Sequence, residues 1–335
     1  MNVRLVLRAA AALAGVALFV QSLRLIGLER LVEGLGRVGW GFVAIVALSG
    51  AREAVRTLAW IRTVEGPTPL RFAQAFRARL AGEALNALLP IGMVVGEPTK
   101  ASHVAGYIPF STACSALAVE FAFYCFSLVP MFCVGFSAYA LVMHLGPSAL
   151  TVALGMGAAA IFALLVPRVR RNWRLAAHAA PGREPGKEEK TAPTDSAPST
   201  ADRLRHLGDI VFGFASRHPE HLRAIAACEI AFHVLAVAEV YLTLRFVSPV
   251  RPTLASAIVL ETVDRAITMM FKMLPMRVGV DEAGSSLFAV QVQLDAATGV
   301  TLALVRKLRV LIWSAVGLAL LVRRPQLHAP AGARS

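Results

Sequence analysis

"LLPIGMVVGEPTK", residues 88–100, puts two prolines, two glycines, a carboxylate and a lysine between long apolar runs. Proline lacks an N–H and clashes with the preceding turn, while glycine adopts conformations that other residues resist. In lipid, such a broken backbone persists only where it is packed in protein or lines a polar cavity. A second stretch, "MLPMRVGVDEAG" at 273–284, repeats the pattern. Leu89-Pro90 matches Leu274-Pro275, and a glutamate falls seven residues after each proline: Glu97 after Pro90, Glu282 after Pro275. Gly92 and Gly96 lie in the first interval and Gly279 in the second. Two matched breaks, one per half of the chain, are the pattern of an internally duplicated transporter.

Composition sets the solvent. Of 335 residues 56% are hydrophobic and 16% charged, with a mean hydropathy of +0.62, which excludes a soluble globular domain and points to a polytopic helical membrane protein. The apolar runs are too long and too continuous for the alternating strands of a barrel. A net charge of +13 does not imply nucleic acid here. The basic residues sit mainly in loops between apolar runs, where they fix topology and meet anionic lipid. Cys114, Cys125, Cys133 and Cys228 form no CxxC pair and lie inside apolar runs, as buried small hydrophobes do. Arg4 and Arg8 precede an apolar stretch like that of a signal peptide, but no small-x-small cleavage site follows, so it reads as an uncleaved first span.

Segments long enough to span are 6–26, 38–61, 107–130, 148–166, 222–246 and 297–322. Two broken pairs, 72–89 with 97–106 and 253–274 with 281–293, are interrupted by Pro and Gly. A cytoplasmic N-terminus places the arginines of 62–79 (Arg62, Arg71, Arg77, Arg79) and the Arg323-Arg324 end inside, and the 131–147 stretch, without Lys or Arg, outside. The three arginines of 24–37 fit this map worst. The two broken pairs then enter from opposite sides. The expected fold is all-α and polytopic, with two inverted repeats that each hold a re-entrant pair. The chain divides into a first repeat (1–166), a basic linker (167–221), a second repeat (222–322) and a tail (323–335). Within the linker, 178–201 is rich in Pro, Ser, Thr and charge. Residues 202–216 place Leu204, Leu207, Val211 and Phe214 on one face of an amphipathic helix.

Charges at membrane depth are costly and face a cavity or a partner. Glu83, Asn86 and Pro90 share a face leading to the first break, and Glu261, Arg265, Thr268 and Lys272 lead to the second. These lines form either a polar half-channel or, at Glu261–Arg265, an internal salt bridge. Glu97-Pro98 and Asp281-Glu282 suit helix starts. Helix starts point free N–H groups outward and suit phosphate, with Lys100, Lys272 and Arg277 nearby to complete a clamp; the two acids serve equally as simple caps. Arg52 and Arg56 share a face of the second span, and the snorkelling alternative fits Arg56 better. Glu229 and His233, with Glu239 beyond, are read as a satisfied hydrogen bond ahead of a proton-coupling pair. Glu120 lies 23 residues after Glu97 and Arg306 lies 24 after Glu282, so the two are expected to pair across the repeat axis. His218 and His221 flank Glu220, but no third ligand has suitable spacing. No metal, cofactor or catalytic residue is expected, for no G-x-S-x-G, H-E-x-x-H, phosphate loop or G-x-G-x-x-G occurs.

At Asn86 to Pro90, Gly96-Glu97, Glu120, Leu274-Pro275, Gly279, Glu282 and Arg306 the chain resembles the transmembrane region of lysylphosphatidylglycerol synthases and their stand-alone flippase-like relatives, some associated with hopanoid biosynthesis. The resemblance spans roughly 10–322. It implies a bacterial inner-membrane domain of inverted repeats that translocates a polar-headed lipid, anionic or hopanoid-type, with lipid-biosynthesis enzymes as expected partners. Phe121 departs from the arginine that often follows the family's glutamate. The lysyl-transferring members also carry a soluble catalytic domain after the membrane region, which this sequence does not show, leaving a lipid-modifying transferase or a scaffold as the alternatives.

Overall fold

In the computed structural model, the described residues are 38–66, 70–89, 92–146, 200–271 and 274–322, with the isolated positions 29 and 36. The expected spans 6–26 and 148–166, the loop 24–37 apart from positions 29 and 36, the linker up to 199 and the tail lie outside them, as do Pro90, Lys272 and the side chain of Pro275.

All regular structure among the described residues is helical: α1 (Gly41–Thr63), α2 (Phe72–Leu88), α3 (Gly92–Val104), α4 (Phe110–Val142), α5 (Thr200–Arg217), α6 (Pro219–Val247), α7 (Leu254–Met270), α8 (Val280–Gln291) and α9 (Ala296–Val322). A single 3₁₀ turn, Pro275–Arg277, sits in the second break. Two helices, α4 and α6, are long and apolar enough to cross a membrane, with less than a third and about a third of their most apolar windows covered by protein. Helices α2, α3, α7 and α8 have 17, 13, 17 and 12 residues. At 1.5 Å per residue each falls short of a hydrocarbon core of about 30 Å.

The first break is shorter than the sequence implies. Helix α3 already begins at Gly92, so Pro98 lies inside it and Glu97-Pro98 does not start a helix. The glycines serve close packing instead. A Cβ on Gly96 would lie 2.1 Å from Asn86 Oδ1 and 2.6 Å from the Gly82 carbonyl, and one on Gly82 would lie 2.4 Å from Lys100 Cγ. The α2–α3 hairpin is therefore pressed together at bare backbone. The second break does carry conformational strain: Met276 and Arg277 have φ of 51° and 44°, and Gly279 has 89°. Non-glycine residues held there cost of order 1–3 kcal/mol each, and Met276 is fixed by burial with Leu85, Leu88 and Leu304. Gly279 is the N-cap of α8, and its N–H donates to Glu282 Oε2 at 2.8 Å. Asp281 thus stands in the first turn, two places past the N-cap position expected for it. Helix α4 runs on through Pro130 to Val142, so most of the expected outer loop 131–147 is helix.

Helix α1 packs along α6, α2 against α3 and α9, α7 against α4 and α8, and α8 against α9. Leu85, Leu88, Leu311 and Leu318 form the α2–α9 seam, and Trp60 anchors α1 on Ala75, Ala78 and Ala113. This arrangement turns the charged faces of α1, α2, α7 and α9 toward one another.

Candidate functional site

Those faces enclose a cavity of about 310 Å³. On the first-half wall, Arg56 donates from Nε to Glu120 Oε1 at 2.7 Å, and Arg79 Nη1 reaches the same oxygen at 3.3 Å. Arg79 also donates to Glu53 at 2.9 Å. Lys100 bridges Glu83 at 2.6 Å and Glu97 at 2.7 Å, while Asn86 Nδ2 donates to both carboxylates at 3.3 and 3.2 Å. The matching wall of the second half is built alike. Glu261 accepts from Arg265 at 2.7 Å and from Arg306 at 3.2 Å, and Arg306 also meets Asp264 at 3.4 Å. Lys307 bridges Asp281 at 3.0 Å and Glu282 at 3.3 Å, with Arg277 on Asp281 at 2.9 Å.

Among the described residues, one carboxylate forms an ion pair between the halves. Glu239 of α6 is 2% exposed and accepts from Arg52 of α1 at 2.8 Å and from Arg309 of α9. Behind it the Phe232 ring faces the guanidinium groups of Arg52, Arg56 and Arg265 at 5.0, 5.3 and 5.1 Å. Nine cationic side chains line the cavity against six acidic ones. Glu239, Glu261 and Glu282 pair from outside the lining, so the network as a whole is balanced while its exposed face is positive.

Of the expected site residues, Arg52, Glu83, Asn86, Glu97, Lys100 and Arg277 line this one cavity, with Thr268 and Arg265. Glu282 stands outside its lining and reaches it through Lys307. Lys100 is 3% exposed and bonded to two carboxylates, so it is a shared counter-ion rather than an unoccupied clamp. Glu120 and Arg306 do not pair: each is held by partners of its own half, and among the described residues the ion pair across the halves is Arg52–Glu239. Arg56 does not snorkel, because Glu120 and the Tyr124 ring, 4.1 Å from its guanidinium, hold it inside. The Glu261–Arg265 salt bridge exists, and Arg265 faces the cavity as well. Phe121, the departure from the family pattern, also lines it.

Sequence reading missed Arg79, Asp264, Lys307 and Arg309 and gave Glu239 no role. Arg79 counts as a loop charge in a topology map, yet it is 3% exposed inside α2. The signal that finds the others is a charge within an apolar span. At the end of α5, His218, Glu220 and His221 come within 4.8 Å of one another, and Glu65 meets His218 at 3.2 Å. His221 is held at Nδ1 by the Arg62 carbonyl at 2.9 Å. The Glu220 carboxyl is held below its ordinary range by the backbone N–H at the start of α6, with His218 and His221 adding to this. The four cysteines form no disulfide and are half-buried.

Among the described residues the regular structure is all helical, and two apolar helices of spanning length stand beside an ion-paired interior. The family model for the lysylphosphatidylglycerol synthase TM region matches residues 5–317, and the chain belongs to that family. No curated protein and no solved structure matches it.

Proposed function

We propose that the protein moves a polar-headed lipid, anionic or hopanoid-type, across the bacterial inner membrane, the head group passing through the ion-lined cavity while the tails stay in lipid. The observation that carries this reading is the cavity itself, built from both halves around matched breaks in a membrane-embedded chain. Buried charges are expensive in a membrane and persist where a polar substrate needs them. The positive excess on the cavity face favours an anionic head group such as a phosphodiester. Such a group would exchange with Glu83, Glu97 or Asp281 at Lys100, Lys307 and Arg277 rather than bind bare cations.

The helix pairings support an internal duplication. Exchanging α1–α4 for α6–α9 turns α1–α2 into α6–α7, α2–α9 into α7–α4 and α3–α4 into α8–α9, and each of these pairs is in contact. We read the halves as inverted, with α2–α3 and α7–α8 as re-entrant pairs and both termini cytoplasmic. Alternating access then requires one half to rock against the other, with Arg52–Glu239 as the latch. Glu97 and Glu282 are each neutralised by a lysine, which suits an exchangeable counter-ion better than the general base of a transferase.

Liposomes holding the purified chain and fluorescent phospholipids test this. Transbilayer movement that falls at least about tenfold in Glu97→Gln and Glu282→Gln, with the lipid chemically unchanged, is the expected result. Chemically altered lipid would make the protein an enzyme, and neither movement nor alteration would leave a scaffold.

A further inference from the structure

Away from the ion-lined cavity, α4, α6 and the start of α7 enclose an open groove of about 890 Å³. That volume lies within the range that holds a small organic ligand. Its walls are apolar, and Val134, Ile230 and Val234 stand 51, 66 and 60% exposed along it. Its floor is interrupted by one polar cluster. Ser127 Oγ lies 2.9 Å from Glu229 Oε2, 3.0 Å from His233 Nε2 and 2.8 Å from the Tyr124 carbonyl. Glu229 and His233 line the groove. Glu229 is 4% exposed, and its Oε1 and His233 Nδ1 are buried without any hydrogen-bond partner. Leaving a buried polar atom unmatched costs about 1–3 kcal/mol, twice over here, in a groove that opens to the outside.

Hydrogen counting defines what is missing. A serine hydroxyl has one proton, and Ser127 faces two oxygens and one ring nitrogen, so its proton is shared between the Tyr124 carbonyl and Glu229 Oε2 while His233 brings its own. The His233 tautomer with the proton on Nε2 supplies that second proton and leaves Nδ1, like Glu229 Oε1, a bare acceptor. Both orphan atoms therefore call for a donor. The donor is not a cation, because three arginines stand directly behind. Arg56 lies over Tyr124, which stacks on His233, while Arg52 and Arg265 lie over Phe232, whose ring packs 5.3 Å from His233. Nor is it an anion, which Glu229 repels. A neutral hydroxyl meets both conditions.

We infer that this groove binds a membrane lipid bearing a neutral hydroxyl, its apolar body along α4 and α6 and its single hydroxyl proton donated to one of the two bare acceptors, Glu229 Oε1 or His233 Nδ1. Ser127, Glu229 and His233 all lie well inside helices of 33 and 29 residues, so the hydroxyl sits far below the lipid surface. A lipid alcohol reaches that depth, whereas a charged head group does not. The site is separate from the transport reading, and neither stands or falls with the other.

The test uses the full chain in nanodiscs with a photoactivatable long-chain primary alcohol and its hydroxyl-free alkane twin. The alcohol is expected to label residues 123–134 and 222–241 about tenfold more than the alkane. Glu229→Gln keeps an acceptor and is expected to keep that preference. Glu229→Leu, with a melting temperature confirming that it folds, is expected to lose it. Equal labelling by both probes means ordinary surrounding lipid and overturns the inference. So does ready disulfide formation between Ile230→Cys and cysteines placed along 148–166, in a background lacking the four native cysteines. That result would give the groove to the chain's own segment.

Discussion

Single side chains differ sharply in how much depends on them. Glu239 neutralises Arg52 and Arg309, and among the described residues neither forms an ion pair with another carboxylate. Removing its charge strands both, and breaking a buried pair in this way costs about 3–5 kcal/mol. Glu239→Gln is therefore expected to lower the melting temperature in detergent clearly. Arg217→Ala, which breaks an exposed pair with Glu65, is expected to change it little, since surface pairs are worth about 0–1 kcal/mol. A different residue sets a pH effect. Asp295 caps α9, accepting from the Thr298 N–H and hydroxyl, both at 2.7 Å. Those two bonds hold its carboxyl below the ordinary range. A depressed folded value means the cap's contribution is present above the ordinary carboxylate range and fades as pH falls through the lower folded value. Asp295→Ala is expected to cost about 1 kcal/mol at pH 7 and to converge with the parent in acid melts; a constant gap down to strong acid would contradict this.

Elements were legible where their signal is periodic and apolar. The expected spans 38–61, 222–246 and 297–322, the stretches 72–89 and 281–293 and the amphipathic helix at 202–216 lie within about three residues of α1, α6, α9, α2, α8 and α5, whereas α4 runs well past the end of its expected span 107–130. What escaped was the purpose of glycine. Gly92 and Gly96 read as conformational breaks, but α3 is continuous through both, and a sequence does not say which backbone a missing Cβ admits. Overpacking of this kind costs about 1–3 kcal/mol, so Gly96→Ala is expected to destabilise the hairpin. Gly213→Ala in α5 is the control: its new Cβ would meet only the flexible end of Arg217. There the gain in helix preference, about 0.5–1 kcal/mol, is expected to leave stability unchanged or raised. Circular-dichroism melts of both variants measure this, and equal losses would refute the close-packing account.

Across the whole molecule, the candidate site was half visible. Charges beside the breaks marked Arg52, Glu83, Asn86, Glu97, Lys100 and Arg277, all of which meet in one cavity. Their partners were not visible, since pairing depends on which helices cross. Near-equal spacing suggested Glu120 with Arg306, yet packing of α1 against α6 and α9 gave the bridging role to Glu239. A balanced network explains how so many charges are tolerated among apolar spans. On the proposed transport reading, a head group entering the cavity would displace an internal carboxylate.

The central claim is that lipid crosses through this cavity. Ala87 lines it and takes no part in the ion pairs described, so Ala87→Trp fills the space and leaves the network intact. The decisive measurement is the fraction of fluorescent phosphatidylglycerol that a membrane-impermeant quencher reaches in sealed proteoliposomes. With the parent chain the fraction is predicted to rise from about half toward completion, and with folded Ala87→Trp to remain near half, as in protein-free vesicles. Equal quenching with parent and variant, or none beyond half with the parent, would contradict the account.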